Sequence, residues 1–272
     1  MPIMKKIVMT LLLLLFAGAA GRAEGRIVSQ SPYITDTLRS LGLENRIAGV
    51  SRYDDLDLPK TGGVIDPDPA AIAALHPDYL FVSDWGGPDV CKRVTPEGAK
   101  CFVLHGFRSM SEIGGNIRAI CDALGIEGSE RRAEAFERQW REAASQVNGG
   151  GRRALILSSC EGNPFSFGVN TYLHELFTAA GFQVVEDYPG IRHVAPTELI
   201  GTVWELVEEK KPEIVFVLQK DGYECPVRIP EGNYQIVRLD GPHFVSPSPK
   251  VLEGLADLKW QFGSRNQKNE SK

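Results

Sequence analysis

The fold of this protein is decided by one stretch near the middle of the chain, Ser129-Glu130-Arg131-Arg132-Ala133-Glu134-Ala135-Phe136-Glu137-Arg138-Gln139-Trp140-Arg141-Glu142. Its residues are nearly all good helix formers, and its Glu and Arg side chains can pair on the helix surface. The pattern extends over residues 128–146 and ends at Asn148-Gly149-Gly150-Gly151. About 20 residues at a rise of 1.5 Å make a rod of roughly 30 Å. One long helix in the middle of the chain predicts a unit of structure on either side of it.

On both sides of this helix, short apolar runs alternate with helical stretches. Such alternation is typical of parallel sheets covered by helices. The sequence therefore predicts an α/β fold, with two Rossmann-like lobes of mostly parallel sheet, the linking helix at 127–147, and a ligand cleft between the lobes. We expect the first lobe at 24–126 and the second at 148–272. The predicted strands are 26–28, 47–50, 79–82, 101–104, 154–157, 183–185, 214–218 and 234–237, and the other helices are 34–43, 69–75, 111–124, 171–180, 196–210 and 249–262.

Residues 1–23 have the three-part pattern of a secretory signal peptide. Two lysines, Lys5 and Lys6, precede an apolar run from 7 to 16, and Gly21-Arg22-Ala23 offers small residues for cleavage. The apolar run is shorter than the roughly 20 residues that a membrane-spanning helix needs, although a membrane anchor is the alternative. No Cys precedes Cys91, so a lipid-anchored thiol at the cleavage site is not expected. The pattern predicts an exported, periplasmic protein whose mature chain starts near Glu24.

Composition and cysteine content narrow the class of protein further. A net charge of -5 and a pI near 5.6 argue against a nucleic-acid-binding protein, which usually carries a basic patch. The chain has five cysteines, which suits an oxidising compartment and leaves at least one of them unpaired. Cys91–Cys101 and Cys160–Cys225 are the candidate disulfides, with buried free thiols as the alternative, and Cys121 is the fifth cysteine. The absence of a Cys-x-x-Cys pair gives no support to a redox motif or a zinc ribbon.

The loops that follow the predicted strands combine aromatic and polar residues. Ligands of open parallel sheets bind beyond the carboxyl ends of the strands, so these loops are expected to line the cleft. Flat aromatic surfaces with a few polar groups suit a large, partly apolar ligand. The loops comprise residues 29–33, 51–55, 83–87, 105–107, 159–168, 219–221 and 240–244.

Several segments, taken together in their order and spacing, resemble one known family. This family comprises the substrate-binding proteins for vitamin B12, siderophores and haem that serve ABC importers. The resemblance covers residues 26–262 and implies a monomeric binding protein, not an enzyme, with limited hinge motion and an inner-membrane permease and ATPase as partners. The segments that carry it are Arg26-Ile27-Val28-Ser29-Gln30-Ser31-Pro32, residues 41–53, Thr61-Gly62-Gly63, residues 72–80, Trp204-Glu205-Leu206, Lys211-Pro212-Glu213-Ile214-Val215 and Ser248-Pro249.

Within the family, the vitamin B12 binders are the most similar, because they tend to carry aromatic residues at the positions of Tyr53 and Trp85 and a turn like Asn163-Pro164-Phe165. The resemblance therefore implies a corrinoid as the bound ligand, with haem or a ferric siderophore as alternatives and no catalytic cofactor. Aromatic residues would supply flat contact surface, and Arg52, His193, Lys220 and His243 would set orientation or charge preference. His193 or His243 is also a candidate axial ligand to iron or cobalt. The predicted ligand-binding residues are Ser31, Pro32, Tyr33, Arg52, Tyr53, Trp85, Gly86, Asn163, Phe165, Phe167, His193, Lys220, His243 and Phe244.

The resemblance also implies two carboxylates that dock to the transporter. Family members usually carry one surface Glu on each lobe, and Glu205 matches the position on the second lobe. The first-lobe position is Ala70 in this chain, which departs from the pattern. Asp68, or alternatively Asp66, is expected to take that role, unless docking is asymmetric.

Two other functions fit the sequence less well. His105, His193 and His243, with Asp240, would make a zinc or manganese receptor if they converged, although the His-rich loop of many such receptors is absent. An enzyme is not expected, since the chain has no Gly-x-Ser-x-Gly elbow, no phosphate-binding loop that ends in Gly-Lys-Ser/Thr, and no His-Glu-x-x-His motif.

Overall fold

The computed structural model describes residues 25–160, 163–219 and 227–263. The predicted signal peptide, Lys220 and Cys225 lie outside these ranges. Within the part of the chain that the structure describes, no helix is both long and apolar enough to cross a membrane.

The first lobe is built on a parallel four-stranded sheet. Its strands are β1 (Ile27–Ser29), β2 (Ile47–Val50), β3 (Tyr79–Ser83) and β4 (Lys100–Leu104), and its helices are α1 (Pro32–Ser40), α2 (Pro69–Ala74), α3 (Val90–Val94) and α4 (Met110–Leu124). The strand order is β2-β1-β3-β4. The central strands β1 and β3 are rich in β-branched and aromatic residues and are buried, as expected for a sheet covered on both faces. A disulfide between Cys91 and Cys101 joins α3 to β4, which confirms that predicted bridge.

One long helix, α5 (Ser129–Ser145), joins the lobes, as predicted. It starts after Gly128, whose φ of 74° favours glycine, and its buried residues recur every three or four positions. Two of them, Phe136 and Trp140, belong to one apolar cluster that contains α4 of the first lobe and most of the second lobe's core. The lobes therefore share a continuous core through α4 and α5. This shared packing opposes large movements of one lobe against the other.

The second lobe is built on a mixed six-stranded sheet. Its strands are β5 (Arg153–Cys160), β6 (Asn163–Phe167), β7 (Gln183–Val184), β8 (Ile191–His193), β9 (Ile214–Gln219) and β10 (Gln235–Asp240), and its helices are α6 (Tyr172–Ala179), α7 (Val203–Lys210) and α8 (Val251–Phe262). The strand order is β10-β9-β5-β6-β8, and β7 pairs with one end of β5. Strand β6 is antiparallel to both of its neighbours, and the other pairs are parallel.

Two predicted elements of the second lobe were wrong in detail. The loop expected at 159–168, in which the alternation of Phe165 and Phe167 left an extended segment open, contains a strand: residues 163–167 form β6, which pairs with both β5 and β8. The helix predicted at 196–210 begins only at Val203. There Thr202 and Glu205 form a capping box: the Thr202 hydroxyl accepts a hydrogen bond from the Glu205 N–H at 3.2 Å, and the Glu205 carboxylate accepts one from the Thr202 N–H at 3.3 Å. Such a box satisfies N–H groups that have no partner at a helix start, so it marks the first turn.

A fully buried carboxylate, Glu186, connects the paired strands β6 and β8 to α7. It accepts a hydrogen bond from Ser166 at 2.7 Å and two from the Arg192 guanidinium at 3.2 Å each, and it lies 3.7 Å from Nζ of Lys210. Exposed Asp187 lies 2.5 Å from the same ammonium group. Burial of a carboxylate is stable only when cations and donors compensate it, and this cluster provides both.

Candidate functional site

A cavity of about 450 Å³ opens between the two lobes, where the carboxyl ends of both sheets meet. Its size and its largely apolar wall are typical of a small-molecule site. No charged side chain belongs to this wall within 25–160, 163–219 and 227–263. The wall consists of Ser31, Pro32, Tyr33, Tyr53, Val64, Ile65, Trp85, Phe107, Ser158, Ser159, Phe165, Leu218, Gln219, Val227, Gly241, Pro242, Val245, Ser246 and Pro247.

Stacked aromatic rings form the first-lobe side of this cleft. The rings of Trp85 and Phe107 lie 4.2 Å apart and nearly parallel, and Phe107 meets Tyr33 edge to face at 5.9 Å. The Tyr33 hydroxyl donates a hydrogen bond to the Leu104 carbonyl at 2.8 Å, and burial raises its pKa above the usual range. Trp85 is 49% exposed and Tyr53 is 56% exposed. Both rings therefore keep a free face that a ligand can cover.

The turn after β3 explains why Trp85 faces the cleft. The Ser83 hydroxyl accepts a hydrogen bond from the Trp85 N–H at 3.3 Å and so caps the short 3₁₀ helix at Asp84–Gly86. Gly86 is buried, and a Cβ at this position would lie 2.6 Å from Val90. Gly86, predicted to contact the ligand, instead lets the turn pack closely against α3 and does not belong to the cleft wall.

Strand β6 supplies the aromatic group on the second-lobe side. Phe165 lines the cleft, whereas Phe167 is 1% exposed and packs in the core of the lobe. The two rings lie 5.4 Å apart, because residues two apart share a strand face while the twist of the strand carries Phe167 inward. Phe167 was named among the predicted ligand contacts, but the alternation of Phe165 and Phe167 also indicated that one of the two faces the core, and the structure buries Phe167. Asn163 lies at the exposed start of β6 and is outside the cleft wall.

Arg52 was predicted to orient a charged ligand group, but it is held elsewhere. Its guanidinium is hydrogen-bonded to the Asp66 carboxylate and lies 5.5 Å from the centre of the Tyr53 ring. It does not belong to the cleft wall. Arg52 therefore supports the Tyr53 ring from outside and is itself neutralised by Asp66.

His243 and Phe244, also predicted as ligand contacts, lie outside the cleft wall, for one structural reason. The chain turns through a 3₁₀ helix at Gly241–His243, which places successive side chains on different sides. Phe244 is fully buried, and its ring fills the space above Gly254 of α8, where a Cβ would lie 2.6 Å away. Nδ1 of His243 lies 2.7 Å from the Asp257 carboxylate, on the α8 side of the turn. The cleft wall takes Gly241, Pro242 and Val245 from this segment instead.

The other two histidines of the alternative metal site, His193 and His105, do not converge with His243 in the cleft. His193 ends β8, is exposed, and has its ring 6.2 Å from that of Phe165. Nδ1 of His105 lies 2.7 Å from the Asp84 carboxylate. In the part of the chain that the structure describes, no three His, Cys, Asp or Glu residues are placed to hold a metal ion. The alternative zinc site of His105, His193, His243 and Asp240 is therefore not formed.

Six of the predicted contact residues line the cleft wall: Ser31, Pro32, Tyr33, Tyr53, Trp85 and Phe165. Five more lie in loops that were expected to line the cleft but were not singled out: Phe107, Ser159, Gln219, Gly241 and Pro242. The remaining wall residues were not predicted. Phe107 follows β4, as Trp85 follows β3, so its position in a post-strand loop was a usable signal. Val64 and Ile65 come from a long loop before α2, and Pro247 from the loop before α8. No local pattern marks these three residues.

A second cavity, of about 770 Å³, lies between α1, α5 and the start of α8 and shares no lining residue with the cleft. Asp36 and Arg132 are among the charged residues that line it, and burial raises the pKa of Asp36 to about 6. Its mixture of opposite charges differs from the interlobe cleft, whose wall, as far as the structure describes it, is neutral and aromatic. The cleft is therefore the better candidate for a flat, partly apolar ligand.

No family model and no curated protein matches this sequence. Solved structures do match it. The periplasmic haem-binding protein HutB of Vibrio cholerae superposes with a TM-score of 0.70 at 19% identity, over 88% of this chain and 99% of that one. A periplasmic haem-binding protein from Pseudomonas aeruginosa gives 0.67 at 22%, over 88% and 92%. The vitamin B12-binding protein BtuF of Vibrio cholerae gives 0.63 at 17%, over 87% and 95%. The chain therefore has the two-lobed fold of periplasmic binding proteins, as the resemblance in its sequence implied.

Proposed function

We propose that this chain is a periplasmic solute-binding protein that captures a flat tetrapyrrole, a corrinoid, in the interlobe cleft and delivers it to an ABC importer. The observation that carries the proposal is the cleft wall itself. Tyr53, Trp85 and Phe107 approach from one lobe and Phe165 from the other, so a planar ligand can be covered on both sides. Such rings contribute large contact areas with little loss of side-chain entropy. Capture and release need no catalytic group, so we propose no enzymatic step.

Among the residues that the structure describes, the wall is neutral, and this favours a corrinoid over haem. Haem carries two propionate carboxylates, whose transfer into an apolar site is costly unless cations meet them. A corrinoid carries neutral amides around its ring, and these match the polar groups of the described wall. Those groups belong to Ser31, Ser158, Ser159, Gln219 and Ser246.

Haem is the second candidate, and one observation favours it. Tyr53 lies in the cleft wall with more than half of its side chain exposed, and a tyrosine phenolate is one of the axial ligands that haem iron accepts. The solved haem-binding proteins that share this fold add weight to it. A ferric siderophore is a weaker alternative, since nothing in the described wall favours it over a tetrapyrrole.

Titration of the purified mature protein with cyanocobalamin, cobinamide and haem tests the proposal. We expect saturable, tight binding of the two corrinoids, followed by visible absorption and by calorimetry. Tight haem binding with a shifted Soret band, if both are lost in Tyr53→Phe, would favour haem as the ligand instead of a corrinoid. Failure to bind any of the three would overturn the tetrapyrrole proposal.

We also propose that Asp68 and Glu205 dock the loaded protein to the importer. Both are exposed and lie at helix starts: Oδ1 of Asp68 accepts hydrogen bonds from the N–H groups of Ala70 and Ala71, at 2.9 Å and 3.1 Å, and Glu205 belongs to the capping box of α7. These caps hold the carboxylates in fixed positions on the surface of the two lobes. Asp66 is a weaker candidate, because it is paired with Arg52.

The substitutions Asp68→Asn and Glu205→Gln remove the negative charge of each side chain and keep its capping hydrogen bonds. Asn and Gln can make the same capping hydrogen bonds, so the helices should keep their stability. The double variant is expected to reduce importer-dependent uptake about tenfold, since two exposed ion pairs are together worth about 1.4 kcal/mol. Uptake is measured in cells whose own copy of the gene is replaced, with Glu208→Gln on the exposed side of α7 as the control. Unchanged uptake by the double variant would remove the docking role.

A further inference from the structure

The two lobes touch at the floor of the cleft through a glycine. Gly106, a buried residue in the loop after β4 of the first lobe, faces Pro247 of the second lobe. A Cβ built on Gly106 would lie 2.8 Å from Cγ and 3.2 Å from Cβ of Pro247, and 3.5 Å from the Tyr33 ring. Carbon atoms attract one another best at about 3.5–4.0 Å. Any side chain at position 106 would therefore collide with the second lobe.

Neither side of this contact can easily move away within its own lobe. The backbone of His105 is clamped by the buried Asn116 side chain, whose Oδ1 accepts from the His105 N–H at 3.2 Å while its amide donates to the His105 carbonyl. Pro247 has a rigid ring, and the Ser248 N–H closes a turn on the Ser246 carbonyl at 2.8 Å. The collision is then relieved most easily by separation of the lobes.

A second contact at the same place reports on that separation. The Tyr172 N–H of the second lobe donates to the Phe107 carbonyl at 3.2 Å, and the two rings meet edge to face at 6.1 Å. Phe107 also stacks on Trp85, so the floor contact and the aromatic wall share a residue. A side chain at position 106 would loosen this contact and change the spacing between the walls of the cleft.

We propose that Gly106 is a positioning residue that sets the width of the cleft, and thereby the size of ligand that the cleft accepts, by allowing Pro247 to close on the first lobe. The inference about ligand size rests on the proposed function. The inference about cleft width does not, because it depends only on the contact between the lobes. A larger side chain at position 106 opens the cleft and shifts selectivity towards bulkier ligands.

The width is tested first without any ligand. Spin labels on p-acetylphenylalanine at Ala73 of α2 and Glu208 of α7, both exposed, give a distance between the lobes by pulsed electron resonance without using the native cysteines. Gly106→Ala is expected to lengthen this distance by about 1 Å, the separation needed to restore an ordinary carbon contact, and Gly106→Val by more. Gly115→Ala is the matched control, because an added Cβ there meets nothing within 4 Å. An unchanged distance in Gly106→Ala would overturn the proposal.

A compensating substitution distinguishes cleft width from general damage. Pro247→Gly removes the atoms that a Cβ at position 106 would strike, so Gly106→Ala combined with Pro247→Gly is expected to return the distance to the value for Pro247→Gly alone. If Gly106→Ala does not fold, the double variant carries the test and is expected to fold with that same distance. A double variant that stays wide, or that also fails to fold, would contradict the proposal.

Ligand selectivity is measured as the ratio of affinities for cyanocobalamin and for cobinamide, which shares the corrin ring and lacks the bulky nucleotide loop. Gly106→Ala is expected to move this ratio about tenfold towards cyanocobalamin, whereas simple destabilisation would weaken both ligands alike. An unmoved ratio in a widened cleft would overturn the selectivity part. If neither corrinoid binds the parent protein, the proposed ligand class fails, and the distance measurement still decides the role of Gly106.

Discussion

Replacing Glu186 by Gln is expected to lower the free energy of unfolding by about 3 kcal/mol, which is the usual cost of removing one partner from a buried ion pair. The substitution keeps the size of the side chain: the Gln oxygen can accept the hydrogen bond from the Tyr188 N–H, and the Gln NH2 can donate to the Ser166 hydroxyl oxygen. It leaves Arg192, whose side chain is only 12% exposed, without its buried counter-charge. Thermal unfolding should shift down by about 6 to 12 °C for a protein of this size.

Asp187→Asn is the matched control for this prediction. Asp187 contacts the same Lys210 ammonium at 2.5 Å, but its side chain is 79% exposed, so solvent screens the pair. We expect a loss below about 1 kcal/mol. Equal losses from the two substitutions would mean that burial of Glu186 does not determine the energetics of the cluster.

Replacing Trp85 by Ala is expected to weaken ligand binding by about 2 kcal/mol, or about 30-fold in Kd, as is typical of a large aromatic contact that binding buries. Trp85 is half exposed in the free protein and stacks on Phe107, so a planar ligand can cover its outer face without disturbing the core. Calorimetric titration of the purified variant measures the loss. Its thermal unfolding should stay close to that of the parent protein.

Trp260→Ala provides the comparison for Trp85→Ala. Trp260 is 76% exposed on α8 and does not belong to the cleft wall, so the same change of side chain should leave Kd within about twofold, a few tenths of a kcal/mol. A similar loss of affinity in both variants, or no loss in Trp85→Ala, would place the ligand somewhere other than this cleft.

Several features of the protein are determined by local sequence. The spacing of apolar residues along α5 predicts that Phe136 and Trp140 are buried on one face, because a helix brings positions three and four apart to the same side. Tyr53 and Trp85 reach the cleft because they follow strands of a parallel sheet directly, and strand ends of such a sheet meet at one edge. These inferences need only the nearest residues and the rules of regular structure.

Other features required the tertiary structure. The Phe244 ring packs into the lobe because Gly254 has no side chain to exclude it. Residues 163–167 form strand β6 because β5 and β8 pair with them. The contact between Gly106 and Pro247 joins loops from different lobes, and no local pattern encodes it. Periodicity and loop position thus determined the two-lobed fold and part of the cleft wall. The width of the cleft and the inward or outward direction of single side chains in its loops were decided only by packing between segments distant in sequence, because such contacts depend on the shapes of both partners.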